Sequence, residues 1–320
     1  MNKVAEFVSP KHPDKICDQI SDAILDECLK QDPDSRVAVE TMGGHGIVTI
    51  TGELTTNAQI DFPDIVHMFV PGIGVQVNLV KQSNEIGRGV DNGGAGDQGI
   101  MVGYACRENR EMMPTEYVLA RSLCRFIYDK HPYDGKTQVV INGNLKPVNI
   151  LASFQNVPAK TIKKLINEWL KRNKLKCKEI LANTAGDWEQ GGFDADTGVT
   201  GRKIVMDAYG PRVPVGGGAF SGKDPSKVDR SAAYMARAIA VDTLKKSKQV
   251  KEVMVRVAYA IGKECPLCVE VFADGMEFSD EGLYHALIPK NIIETLGLKK
   301  PIYLKTAQWG HFGNNFNWDK

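Results

Sequence analysis

The sequence predicts an α/β protein of the α+β type: three similar units, each a small mixed sheet with helices on one face. Two observations carry that expectation. A polar turn rich in glycine or proline leads into an apolar-faced helix and then into two strand-like runs, and this order occurs three times along the 320 residues. The turns before the first and third helices also echo each other. His12-Pro13-Asp14-Lys15 and Asp224-Pro225-Ser226-Lys227 share Pro and Lys in register. Repetition of a whole helix-and-strand unit implies copies of one small architecture, here with pseudo-threefold repetition. The expected units are 1–92, 93–186 and 187–320, with first and last strands open to exchange between them.

In the first unit, Ile16, Ile20, Ala23, Ile24 and Cys28 recur at helical spacing, and Gln31-Asp32-Pro33 ends the helix. Strand-like runs follow at 36–40 and 47–51, joined by a turn at Gly43-Gly44-His45-Gly46. The second unit opens on the glycine-rich loop 93–99. Its helix covers 117–128, with Val118, Leu119, Leu123, Phe126 and Ile127 as apolar positions, and a hairpin pairs 138–141 with 148–153 around Asn142-Gly143-Asn144. Residues 160–178 read as a solvated amphipathic helix on Leu165, Ile166, Trp169 and Leu170. The third unit opens on 216–227. Its helix carries Val228, Ala232, Met235, Ala236 and Ile239, and strands follow at 253–259 and 267–272.

Composition narrows the function. The chain is 42% hydrophobic and 25% charged, with a formal net charge of +1. That balance argues against a general binder of nucleic acid or of membrane surfaces. The first residues lack the apolar run of a signal peptide, and no apolar run approaches membrane-spanning length, so a cytoplasmic location is expected. Seven cysteines without framework spacing point to reduced thiols. Cys265-Pro266-Leu267-Cys268 lacks a second ligand pair, so buried thiols are expected there rather than a metal site.

The chemically richest stretch is 216–230. Glycines let backbone N–H groups approach an anion, lysines add charge, and a carboxylate among them can hold a hard cation. The spacing Gly217-x-x-x-x-Gly222-Lys223 approaches a P-loop, but Asp224 stands where Ser or Thr would bind Mg²⁺. The run 212–215 is also too short and proline-broken to be the buried strand feeding such a loop. The plain alternative is a glycine-rich turn with a solvated charge run. Against it stand four more charged turns: His12-Pro13-Asp14-Lys15, Gly94-Ala95-Gly96-Asp97-Gln98-Gly99, Asp134-Gly135-Lys136 and Gly201-Arg202-Lys203.

These motifs, with Gly52-Glu53-Leu54-Thr55-Thr56 and Gly310-His311-Phe312-Gly313, closely resemble those of the S-adenosylmethionine synthetase (methionine adenosyltransferase) family in the same order. The resemblance runs almost end to end. It implies transfer of the adenosyl group of ATP to L-methionine, then hydrolysis of the tripolyphosphate to phosphate and diphosphate. A neutral thioether needs no general base. It needs alignment with C5′ and neutralisation of an anionic leaving group.

By resemblance, His12, Lys136, Arg202, Lys203 and Lys223 carry the catalytic role. Lys15, Lys136, Arg202, Lys203 and Lys223 would line the polyphosphate channel. Asp134, Trp188, Asp196 and Ala219 join the ATP site, with the Trp188 indole on adenine. Glu53, Arg88, Asp97, Asp196 and Lys227 fall to methionine. Asp14 and Asp229 are the implied Mg²⁺ ligands and Glu40 the K⁺ ligand. The implied assembly is a homodimer or a dimer of dimers with shared sites. The sequence departs from the family pattern at Lys11, Arg88 and Asp187, and in a short loop from Asp91 to Gly94. It also ends soon after Trp318. Those departures leave two alternatives open: a non-catalytic nucleotide-binding or regulatory homologue, and a tripolyphosphatase without adenosyl transfer.

Overall fold

A computed structural model describes residues 1–82, 93–278 and 280–320. The chain opens with β1 (Lys3–Val8) and enters α1 (Pro13–Gln31). His12 is the N-cap of α1: its Nδ1 accepts the Asp14 N–H at 3.2 Å, and Pro13 occupies the first turn, where a missing N–H costs nothing. Ile16, Ile20, Ile24 and Cys28 are buried, as their spacing predicts. The hairpin β2 (Arg36–Gly44) and β3 (Ile47–Thr55) is longer than the 36–40 and 47–51 runs. Its turn is only His45-Gly46, both at positive φ. Gly43 belongs to the strand, because a Cβ there would meet Phe193 at 2.5 Å.

Then come α2 (Phe62–His67), β4 (Gly74–Val80) and, past the glycine-rich loop, β5 (Gly99–Cys106). α3 (Thr115–Tyr128) precedes β6 (Gly135–Ile141) and β7 (Pro147–Phe154), the expected hairpin. α4 (Ala159–Arg172) stops short of 178, with Leu165, Ile166, Trp169 and Leu170 buried. After β8 (Glu179–Ala182), the short β9 (Gly198–Val199) and α5 (Ile204–Asp207) lead to the long α6 (Val228–Lys246). The chain finishes through β10 (Glu252–Tyr259), β11 (Cys268–Ala273), β12 (Met276–Phe278), α7 (Gly282–Ala286), α8 (Pro289–Leu296) and α9 (Leu304–Trp309).

The strands form three four-stranded sheets, ordered β4-β3-β2-β9, β1-β6-β7-β8 and β12-β11-β10-β5. The first two are mixed, since β3–β4 and β7–β8 run parallel. α1 packs on the first sheet, α3 on the second and α6 on the third, and α1 and α6 also bury polar flanks. In the third sheet Val253, Val255 and Val257 point inward, as expected. Three strands find their partners far along the chain. β1 pairs with β6 (Phe7↔Thr137), β5 with β10 (Gly103↔Val255) and β9 with β2 (Gly198↔Gly43).

The chain's end closes over α6. Trp318 is buried, stacks on Tyr234 at 3.8 Å and donates its indole N–H to the His311 carbonyl at 2.7 Å. One expectation fails: Cys265 and Cys268 are exposed, not buried. They flank the β10–β11 turn, and Cys268 stands opposite Ala258, on the side of the sheet away from buried Val257 and Tyr259. Among the described residues no helix is long and apolar enough to cross a membrane.

Candidate active site

Two groups of charged side chains assemble along α1. The first lies at its N-terminus. The Asp14 carboxylate contacts Lys203 Nζ, lies 3.6 Å from Arg202 Nε, and accepts the Val199 N–H at 2.9 Å. Burial pulls the Asp14 carboxyl upward, but Lys203 and the Val199 N–H outweigh it and hold the group below its ordinary range. His12 moves the other way: burial, then the neighbouring Lys203, pulls it down to about 4. The ring is therefore neutral at pH 7. Because Nδ1 accepts from Asp14 N–H, the ring proton resides on Nε2, available to an acceptor in the site.

Lys136 and Asp196 act on His12 electrostatically from the same region. Lys136 extends from β6 and pairs with Glu6 at 2.7 Å while remaining half exposed. Asp196 accepts the neighbouring Thr197 N–H at 2.7 Å. Asp134 accepts the Gly192 N–H at 3.0 Å, and burial raises its pKa. The half-buried Trp188 ring closes on Gly191.

The second group is built on the edge of the first sheet by residues 222–224. Val39 N–H donates to the Gly222 carbonyl at 3.0 Å and Asp224 N–H to the Val37 carbonyl at 3.0 Å, while the Asp224 side chain accepts the Val37 N–H at 2.7 Å. Gly222 has φ +79°, and a Cβ there would fall 1.9 Å from the Val39 carbonyl, so only glycine lets the chain run this close to β2. Lys223 bridges to Ala38, which stands opposite Glu53, with Glu40 two residues further along β2. The strand alternation thus puts Lys223, Glu53 and Glu40 on one face. Burial, with Glu53 nearby, raises the Glu40 pKa against the pull of Lys223.

Lys223 also contacts the carboxylate of Asp229 at the start of α6, which packs against Gly218. Lys227 is held by Asp224 at 2.6 Å. Asp97 is exposed, on the loop leading into β5, whose first residue, Gly99, approaches Asp229. The Ala219 Cβ packs on Gly201, so the two groups adjoin there, and among the described residues no ion pair joins them. Asp14 and Asp229 accordingly fall in different groups, and among the described residues no three metal-capable side chains cluster.

Three family models match the chain: the N-terminal, central and C-terminal domains of S-adenosylmethionine synthetase, over residues 2–87, 92–187 and 190–320. The chain belongs to the S-adenosylmethionine synthetase family. It is 42% identical to the S-adenosylmethionine synthase of Sorangium cellulosum, covering 99% of this chain and 86% of that protein. With those of Treponema denticola and Pseudothermotoga lettingae the identities are 39% and 41%, covering 99% and 98% of this chain and 95% of each relative. The first alignment runs over 366 positions against 320 residues, so that family member carries segments this chain lacks.

Several residues that stand out against the family motifs have structural explanations. Lys15 does not line a channel. It is fully buried beneath the site, bonded to Asp18 at 3.0 Å and Asp207 at 2.5 Å, because its place in the first turn of α1 faces the interior. Burial alone would lower the Lys15 pKa, but the two carboxylates raise it, and burial pushes Asp207 up to about 7. Lys11 places no charge beside His12, since its Nζ reaches the Phe69 carbonyl at 3.2 Å. Asp187 is engaged by the start of α4: it accepts the Ala159 N–H at 2.8 Å and the Asn183 amide at 2.9 Å, satisfying the first turn of that helix. Arg88 and Asp91 lie outside the described residues. Sequence reasoning passed over Asp18, Asp22, Asp207 and Arg230, all buried. For Asp18 and Asp22 the signal was the spacing Asp14, Asp18, Asp22, Asp26 on one helix, whereas Asp207 and Arg230 carried none.

Proposed function

We propose that this chain is a methionine adenosyltransferase, converting ATP, L-methionine and water to S-adenosylmethionine, phosphate and diphosphate. The observation that supports it best is the first charged group: Arg202 and Lys203 gathered over Asp14 beside a neutral His12 that keeps an N–H to donate. Such a set suits the departure of a polyanion from carbon. Cations neutralise the leaving phosphates, and a neutral imidazole donates a hydrogen bond to the departing oxygen without itself needing to lose a proton. The attacking sulfur is uncharged, so no base is required. Its task is alignment with C5′, which the methionine-side residues Glu53, Asp97, Asp196 and Lys227 provide, together with Arg88. Lys136 and Lys223 extend the cationic wall, Asp134, Trp188 and Ala219 hold the nucleoside side, and Lys15 supports the site from below.

Asp14 and Asp229 are the carboxylates that hold Mg²⁺. Asp14 fits that role because its carboxyl stays ionised. When bound, Mg²⁺ neutralises phosphate charge and orients the chain of phosphates. Glu40, beside Glu53, suits a monovalent cation such as K⁺. Because Asp14 and Asp229 fall in different groups, a homodimer, alone or paired into a tetramer, completes each site with residues from two copies. The working location is the cytoplasm.

The test is direct. Purified protein with ATP, methionine, Mg²⁺ and K⁺ should yield S-adenosylmethionine with phosphate and diphosphate. A folded sample that makes no S-adenosylmethionine across a wide methionine range sinks the reading. Hydrolysis of added tripolyphosphate in that same sample would leave only the second half-reaction.

A further inference from the structure

Four aspartates of α1 follow one another at intervals of four residues: Asp14, Asp18, Asp22 and Asp26. They wind along one flank of the helix and span roughly 18 Å. Together they accept main-chain N–H groups from three segments of the chain. Asp14 takes Val199 at 2.9 Å, Asp18 takes Gly201 at 2.8 Å and Asp22 takes Gly222 at 2.9 Å. Asp26 takes Tyr303 at 2.8 Å and Leu304 at 2.9 Å. The two central rungs are wholly buried. One holds the residue before Arg202-Lys203, and the other holds the residue before Lys223.

We infer that Asp18 and Asp22 are positioning residues for adenosyl transfer: they set the cation-bearing loops 200–203 and 222–224 in register on the helix that carries His12 and Asp14. This rests on the activity proposed above. Neither residue reaches the surface of the site, so each acts through the main chain it holds.

The remaining oxygens explain why the rungs are carboxylates. Asp18 Oδ2 takes the Lys15 ammonium at 3.0 Å, and Asp22 Oδ2 takes Arg230 Nη2 at 2.8 Å. Arg230 Nη1 in turn donates to the Lys223 carbonyl at 3.1 Å, so the loop is held from both sides. Hydroxyls reinforce the upper rung: Ser21 Oγ lies 2.8 Å from both Thr41 Oγ1 and Thr200 Oγ1, and Thr200 Oγ1 accepts the Thr41 N–H at 3.0 Å. A side chain on a long, packed helix fixes a loop better than another loop could, and sub-ångström placement of cations is what an in-line displacement needs.

Asp18 is the rung to test, because Asp207 still neutralises Lys15 when it is changed. Asp18→Ala removes the acceptor for Gly201, whereas Asp18→Asn keeps an oxygen there. Ile166→Ala, in the buried face of α4, serves as a destabilised comparator away from the ladder. The expected result is a kcat for adenosyl transfer lowered ~10²-fold in Asp18→Ala with methionine KM changed less than ~3-fold. Asp18→Asn should recover to within ~10-fold of the parent, and Ile166→Ala should keep a near-parental kcat despite a lowered Tm. A folded Asp18→Ala enzyme within ~3-fold of the parent overturns the inference, as does an Asn variant no better than Ala. If Asp18→Ala does not fold, amide exchange on the unaltered protein decides. Protection of residues 200–203 matching that of α1 supports the ladder, and loop-like exchange overturns it. That measurement needs no turnover, so it stands even if the parent makes no S-adenosylmethionine.

Discussion

Asp22 grips Arg230 at two points in the interior: Nη1 donates to Oδ1 at 2.7 Å and Nη2 to Oδ2 at 2.8 Å, with neither side chain exposed. Both ions lost their water on folding, so each depends on the other. Arg230→Met leaves the Asp22 charge buried and should cost ~3–5 kcal/mol in urea unfolding. In the double variant Asp22→Leu/Arg230→Met the charges are gone, and what remains is the loss of partners by the neutral Gly222 N–H and Lys223 carbonyl, a cost of ~1–3 kcal/mol. A double variant as unstable as the two single losses summed would mean that the pair is not a coupled unit.

Lys223 faces Asp229, Glu53 and Glu40, and it is the cation placed to meet departing phosphate in the second group. Lys223→Ala should slow adenosyl transfer by about 10²-fold or more. A near-normal rate, measured as S-adenosylmethionine formed per second at saturating substrates, would move Lys223 out of the leaving-group site.

His12 gives a pH signature in stability. Its folded pKa lies near 4 against 6.5 unfolded, so protons prefer the unfolded chain and the native state is favoured above pH 6.5. As pH falls through that window toward 4 the advantage is lost, which amounts to about 2 kcal/mol by pH 5. His12→Asn keeps a capping side chain but does not titrate. Between pH 7.5 and 5.0 the parent should therefore lose about 2 kcal/mol more than the variant. Equal losses in chemical denaturation would show that His12 is as solvated in the native state as in the unfolded chain.

Asp187 satisfies the first turn of α4 through the Ala159 N–H and is held by the Asn183 amide. Asp187→Ala should lower the thermal midpoint while leaving ATP KM unchanged. A raised ATP KM with an unchanged midpoint would return this residue to the nucleotide site.

What the sequence disclosed was local. The long helices announced themselves through buried periodic residues such as Ile16, Ile20 and Ile24, and through His12-Pro13-Asp14 at an N-terminus. The hairpins were equally plain, though Gly43 was read as turn when its real constraint is Phe193, 150 residues away. β1, β5 and β9 escaped because each finds its partner more than a hundred residues away, as Gly103 finds Val255, and no local pattern records such pairing. β4 could have been found from the alternation of Val75, Val77 and Leu79. The site behaved the same way. His12 and Asp14 share a turn and are near by necessity, whereas the burial of Lys15 depends on Asp207, whose contribution is invisible along the chain.

The pairing of β1 with β6 bears on how the molecule is made. Lys3 is added well over a hundred residues before its partner, Ile141. Until then the strand has no sheet to join, and the same wait holds for β5, which needs β10. Synthesis therefore cannot complete these sheets in chain order: native pairing is deferred, and the nascent chain carries unpaired edges that favour assistance by chaperones over unaided, stepwise folding.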